Sequence, residues 1–243
     1  MTTGKIKIDI IGKGKVGEHL ASAFSLVDEC DCRLVSSRTL AESRSDADVA
    51  LIAVTDTAIS SVADKMSDFK GIVAHVSGST PISALGREIR GGVFYPFQSF
   101  SKGVAVDFSQ VPLLIEATDG RTLSLLKRIA GMLTREVIEA DGDKRKMLHL
   151  AGVFSCNFLN EMMVAGYNIM DKAGLPESLL RPLIRMTVRK ALSDDPRKVR
   201  TGPASRRDMN IIAAQEELLD SNRLLLDVYK SVTALILDEV ISK

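Results

Sequence analysis

Six residues near the start of the chain constrain its fold more than any others: Gly12-Lys13-Gly14-Lys15-Val16-Gly17. They follow the apolar run Ile8-Asp9-Ile10-Ile11 and lead into Glu18-His19-Leu20-Ala21, so a glycine-rich turn joins a strand to a helix. That context gives each glycine a task. The first permits a tight turn, the second clears a side chain from the path of a pyrophosphate, and the third lets helix and strand pack closely. The helix N-terminus adds unpaired N–H groups and the positive end of its dipole. An ordinary glycine-rich turn between strand and helix is the alternative.

The pattern continues through the first half. Short β-branched runs fall at Ile6 to Ile11, Arg33 to Ser37, Val49 to Val54, Ile72 to Val76, Val93 to Tyr95, Val111 to Ile115 and Glu136 to Ile138. Helical stretches separate several of them, at Val16 to Leu26, Ala58 to Met66, Thr80 to Ile89 and Arg121 to Leu133. Such alternation predicts an α/β fold, a Rossmann doubly wound and mostly parallel sheet with right-handed crossovers. After Asp141-Gly142-Asp143 the strands stop. Lys144 to Lys172 reads as one long helix that ends at Gly174, Glu177 to Leu192 as a second, and Asn210 to about Ile241 as a final long helical region. The organisation expected is a dinucleotide-binding domain over 1–142 and an all-helical domain for substrate or dimerisation over 143–243.

Composition removes several classes of partner. A net charge of +1 over 243 residues provides no field to hold nucleic acid or an anionic membrane. No apolar run approaches the roughly 18 residues of a membrane span, and the start of the chain has no secretory pattern. Cys30, Cys32 and Cys156 are too few for a disulfide framework and fit a reducing cytosol, so a cytoplasmic protein is expected. Cys30-x-Cys32 lacks the further ligands of a zinc site, and no metal is expected.

The end of the second predicted strand reports on the ribose. An NAD site usually places a carboxylate about 20 residues past the glycine loop. Here the segment is Ser36-Ser37-Arg38-Thr39, without a carboxylate. Two hydroxyls and a guanidinium suit a 2′-phosphate, because the guanidinium fork donates two hydrogen bonds. The expectation is NADP, held by Ser36, Ser37 and Arg38, with Arg44 a lesser contact. The alternative is that Arg38 is a solvated loop residue.

Ligands of open α/β sheets bind beyond the carboxyl ends of the strands. Val54-Thr55-Asp56 should therefore pass near the cofactor, with Asp56 either a contact or the N-cap of the helix starting at Ala58. In His75-Val76-Ser77-Gly78-Ser79, Ser77 and Ser79 either meet nicotinamide or substrate or act as caps. Tyr95 and Gln98 suit the wall of a substrate pocket, while Phe97 and Phe100 read as core. On the long helix His149, Val153 and Asn157 are spaced by four and share a face, with Lys146 one turn earlier. Hydride transfer to a carbonyl or imine needs a proton donor near neutral pH, which a histidine supplies, and an asparagine can orient the substrate. The alternative places His149 at a domain interface.

Taken in order, Gly12–Gly17, Val54-Thr55-Asp56 with Ile59, His75-Val76-Ser77-Gly78, Pro96 with Phe100, His149 with Asn157, and Thr201-Gly202-Pro203 with Arg206 and Asp208 carry a resemblance across the whole chain. The sequence resembles the bacterial Rossmann-like NADP oxidoreductases with a helical C-terminal domain of unknown function. These are distantly similar to pyrroline-5-carboxylate reductase and the 6-phosphogluconate dehydrogenase superfamily. Two positions depart from the pattern. Tyr95 stands where the family tends to have His, and Arg206-Arg207-Asp208 where it tends to read Arg-Gly-Asp.

The resemblance implies a homodimer through the helical domain. With the motifs it predicts hydride transfer between NADP(H) and a small, polar, anionic metabolite. Arg206 then either clamps an anionic substrate group or sits in the dimer interface. A competing reading is an NADP-binding sensor or scaffold without turnover, suggested by Tyr95 and by the absence of a Lys–Asn pair four residues apart. A deazaflavin partner is a third.

Overall fold

The computed structural model describes residues 4–40, 46–86 and 89–241, with residue 241 described by its backbone alone. Arg44 lies outside the described residues. The β-branched runs form seven strands: β1 (Ile6–Ile11), β2 (Cys30–Val35), β3 (Val49–Ile52), β4 (Ile72–His75), β5 (Gly91–Pro96), β6 (Leu113–Ala117) and β7 (Val137–Glu139). They build one sheet in the order β2-β1-β3-β4-β5-β6-β7, parallel throughout except for the antiparallel β5–β6 pair. Every residue of β3 and β4 is buried, as expected of inner parallel strands covered on both faces.

Helices α1 (Lys15–Phe24), α2 (Ile59–Asp64), α3 (Gly120–Gly131) and α4 (Gly142–Gly152) belong to the same part of the chain. Leu20 and Phe24 of α1 and Leu126 and Ile129 of α3 pack with Ile8 and Ile10 on one face of the sheet. Ile59 and Val62 of α2 pack with Ile11, Ile52 and Leu85 on the other. The expected doubly wound architecture is present. Because β2 and β3 flank β1 on opposite sides, the strand order switches at β1, and a crevice opens at the carboxyl ends of β1 and β3.

Three local expectations are corrected. β2 spans Cys30–Val35, with all six residues in register against β1, so Ser36 and Ser37 lie in the turn beyond it. The helix expected over Thr80 to Ile89 is a single 3-10 turn, Ile82–Leu85, among the described residues. Gly86 stops it, at a φ of 85° that L side chains avoid. The long helix is divided: a π-helical segment, Val153–Phe158, separates α4 from α5 (Leu159–Lys172).

Compact units comprise residues 1–157 and 158–243. Strands end at Glu139, near the expected division at 142, but α4 stays with the sheet. Its Arg145 has no exposed surface; it donates to Glu116 of β6, to the Ala140 carbonyl at 3.2 Å and to the Thr80 carbonyl at 3.0 Å.

The second unit is helical, with α6 (Leu180–Ser193), α7 (Met209–Leu218) and α8 (Arg223–Ile241) following α5. Asp208 caps α7, accepting from the Ile211 N–H at 3.3 Å. Arg207 donates to the Val240 carbonyl at 3.0 Å, and Arg200 donates to Glu239. Among the described residues, no helix is long and apolar enough to cross a membrane.

Candidate functional site

The glycine loop is shaped from both sides. Gly12 adopts φ 127°, and a Cβ there would meet the Ala53 carbonyl oxygen at 2.3 Å. A Cβ on Gly17 would meet the Gly12 carbonyl oxygen at 2.0 Å, so helix α1 rests directly on the turn. Above Gly14 nothing lies within 4 Å of a built Cβ. Gly14 is also the N-cap of α1, and no side chain caps the helix there. The first turn of α1 thus presents open N–H groups and a positive dipole end over free space, a donor set that fits an anionic phosphate group. Lys13 and Lys15 are exposed beside it, while Val16 turns its side chain into the sheet core.

Strand ends converge on this loop. The Gly12 N–H donates to the Val35 carbonyl at 2.8 Å, which brings the end of β2 and the Ser36–Arg38 turn alongside. Ser36 accepts from the Arg38 N–H at 3.3 Å, and Ser37 is half-buried. The Arg38 guanidinium is exposed, with no partner among the described residues. Val54 comes close to Gly12.

Asp56 does not cap a helix. The N-cap position belongs to Thr55, and Asp56 sits in the first turn of the short helical segment before α2. Its carboxylate is instead the acceptor for the Ser79 hydroxyl. Ser77 is buried; its Oγ accepts from the Ser79 and Thr80 N–H groups at 3.2 and 3.0 Å, which folds the segment after β4 into a turn. Sequence reasoning left out the residue beneath it. The Ser77 N–H donates to Nδ1 of His75 at 3.2 Å. His75 has no exposed surface, and burial pushes its pKa down to about 4, with the nearby Arg145 charge adding to the effect. The signal available was a histidine inside an apolar strand.

Gly78 faces the Tyr95 ring so closely that a Cβ would meet Cζ at 2.5 Å. Burial raises the Tyr95 phenol above its usual range, and the Asp56 carboxylate raises it further. Tyr95 lies 3.2 Å through its hydroxyl from Nδ1 of His149. Both belong to a cleft lined also by Phe97, Gln98, Val153 and Asn157. The spacing of four along α4 and the π-helical segment therefore does bring His149, Val153 and Asn157 to one surface. In a regular α-helix residues spaced by four drift round the axis; the wider i→i+5 turn of a π segment reduces the drift.

Phe97, expected in the core, is half-buried in the cleft wall and packs against Gly152, where a Cβ would meet its ring at 2.9 Å. Phe100 does pack against the sheet core, stacked on Phe108. Ser99, beside Gln98 in the segment read as a pocket wall, lines the cleft too, as does Cys156, which the sequence did not single out. Arg206 is exposed in the helical unit. Among the described residues, no group of three or more His, Cys, Asp or Glu side chains is placed to hold a metal.

A family model described as a domain of unknown function, DUF2520, matches residues 111–236, just over half of the chain. The chain belongs to the DUF2520 family. It is similar along 96% of its length to 98% of a Bacteroides fragilis protein described as a "putative NADP oxidoreductase", at 30% identity and a TM-score of 0.88. Plasmodium falciparum pyrroline carboxylate reductase, solved with NADP bound, shares the fold at 14% identity and a TM-score of 0.55, over 97% of each chain. A variant imine reductase from Myxococcus stipitatus, in complex with NAD+, shares it at 14% identity and a TM-score of 0.59, over 97% of this chain and 94% of that one. No curated protein matches the chain.

Proposed function

We propose that this DUF2520 protein is an NADP-dependent oxidoreductase that transfers a hydride between NADP(H) and a small, polar, anionic metabolite. One observation carries the reading: the glycine loop and the His149 cleft are linked through the ends of the strands between them. A Cβ on Gly12 would meet Ala53 and Val54, Asp56 two residues on accepts from Ser79, neighbouring Gly78 packs on Tyr95, and Tyr95 bonds His149. Relatives of the same fold supply a precedent: one is described as an NADP oxidoreductase, and two others are described with NADP bound and in complex with NAD+.

In this reading the N–H groups of the Gly12–Gly17 loop hold the pyrophosphate, with Lys13 and Lys15 as exposed cations beside it. Ser36, Ser37 and Arg38 hold the 2′-phosphate. Val54, Thr55, Asp56 and Ser77 border the cofactor along the strand ends. The nicotinamide, when bound, supplies or accepts the hydride. His149 delivers the proton that the reduced heteroatom requires, Asn157 orients the substrate, and Tyr95 and Gln98 form the wall against it. Arg206, in the helical unit, either meets an anionic substrate group or lies in the dimer interface.

The same reading makes the protein a cytosolic homodimer. Among the described residues of the helical unit only Ala204, Ile212 and Leu226 are buried hydrophobics, whereas Leu183, Leu218, Leu224 and Leu235 are each more than 60% exposed. Helices this short of a core of their own fit a face covered by a second copy. Its three cysteines are free, as a reducing compartment would leave them.

NADPH titration and NADPH consumption over a panel of 2-oxo acids, imines and aldehydes test the proposal. Arg38→Asp should weaken NADPH by roughly 10- to 100-fold, the scale of a lost charge-assisted hydrogen bond. His149→Ala should lower kcat by about 100-fold or more. Unchanged NADPH affinity in the first variant rejects the ribose assignment. Unchanged turnover in the second rejects the acid.

A further inference from the structure

The Tyr95 hydroxyl and Nδ1 of His149 stand 3.2 Å apart, and either is able to donate. Two observations decide the direction. The Tyr95 phenol is raised above its ordinary range by burial and by Asp56, so it keeps its proton through neutral pH. Nδ1 of His149 is also the one hydrogen-bond partner of that hydroxyl among the described residues. With Nδ1 as donor, the phenolic proton would have no acceptor among the described residues, whereas Tyr95 as donor places it on Nδ1.

We propose that Tyr95 is a positioning residue: it donates to Nδ1 of His149 and so holds the neutral imidazole in the form that carries its own proton on Nε2. Nε2 has no partner among the described residues, so it is the nitrogen left to serve the cleft. The inference rests on the oxidoreductase reading for its catalytic consequence, but the tautomer does not. In turnover the Nε2 proton passes to the negatively charged oxygen or nitrogen of the reduced substrate. Nδ1 takes the phenolic proton in the same movement, and the Tyr95 oxygen takes one from solvent, so that no charge stays beside Asp56. Exchange with solvent then returns the imidazole to the tautomer with its proton on Nε2.

The chain has three histidines, so a two-bond 15N–1H correlation spectrum of the full-length protein with 15N-labelled histidine, above neutral pH and without cofactor, resolves the question. His149→Ala assigns the signal. The wild-type protein should show His149 with a pyridine-like Nδ1 and a pyrrole-like Nε2. Tyr95→Phe keeps the ring against Gly78 and removes only the hydroxyl; it should average the two nitrogens toward a tautomer mixture. His75, whose Nδ1 accepts from Ser77, is the internal control and should hold one tautomer in both proteins. A pyrrole-like Nδ1 in the wild type, or a His149 pattern unchanged in Tyr95→Phe, overturns the proposal. In turnover Tyr95→Phe should lower kcat roughly 10- to 100-fold, as for other groups that orient a histidine, with KM little changed. If the tautomer shifts as expected and no substrate in the panel is reduced, the oxidoreductase reading fails and the Tyr95 assignment stands.

Discussion

The Gly12 carbonyl oxygen lies where a Cβ on Gly17 would have to pass within 2.0 Å of it, whereas a Cβ on Gly14 would touch nothing. The two glycines therefore separate stability from binding. Gly17→Ala drives a methyl group into backbone that cannot rotate away, an overpacking cost of about 1–3 kcal/mol. It should lower the melting temperature by several degrees. Gly14→Ala should melt like the wild type yet bind NADPH at least tenfold more weakly, because its methyl group occupies space that only a ligand would use. Thermal melts with and without NADPH measure both. If Gly14→Ala binds NADPH normally, the loop is an ordinary turn.

His75 gives a prediction with a sign. Its folded pKa of about 4 lies below the 6.5 of an unperturbed histidine. Between those values the unfolded chain binds a proton that the folded chain refuses. Stability is therefore full above about pH 6.5 and falls as the pH drops toward 4. Each pKa unit is worth about 1.4 kcal/mol, so the loss approaches about 3 kcal/mol. Urea unfolding across this range should show a decline that His75→Asn removes, since the Asn carbonyl still accepts from the Ser77 N–H but does not titrate. Parallel curves for the two proteins would show that another group controls acid stability.

The first half of this fold was legible because its signals are local. A strand, three glycines and a helix occur within twenty residues, and inner parallel strands announce themselves as short unbroken apolar runs. What escaped depends on partners distant in sequence or on backbone detail. Pro81 and Gly86 reduce an apparently helical run to a single turn. The π-helical segment leaves no period that distinguishes it from the α-helices on either side. The Tyr95–His149 bond joins residues 54 apart, and nothing at either position names the other. NADP over NAD was likewise read from what a single turn contains, and Arg38 still faces open solvent.

Arg145 was invisible for a further reason: an arginine between two lysines in a helix ordinarily points to water. Here it is fully buried and serves Glu116, Ala140 and Thr80 together, while its Nε finds no acceptor among the described residues. Arg145→Met should cost about 3–5 kcal/mol, because it strands the Glu116 carboxylate and two carbonyls. Arg145→Met with Glu116→Leu should recover part of that loss, since the orphaned charge goes too. Denaturant titration of the four proteins of this cycle gives the coupling. A double variant no more stable than Arg145→Met would mean that the carbonyl contacts, not the ion pair, dominate.

Arg207 is the residue other than glycine that adopts a left-handed backbone among the described residues, at φ 55°. It stands at the position where resembling sequences tend to carry glycine, and its guanidinium holds the Val240 carbonyl near the end of α8. Two effects therefore oppose each other. A left-handed conformation costs an L residue about 1–2 kcal/mol, and the hydrogen bond returns about 1 kcal/mol. Arg207→Ala removes the bond and keeps the strain; Arg207→Gly removes both. The glycine variant should therefore be the more stable of the two by about 1 kcal/mol, although glycine is ordinarily the more flexible and less stabilising choice. Urea unfolding of the two variants checks this, and an alanine variant as stable as the glycine one would show that the turn relaxes its φ when Arg207 is lost.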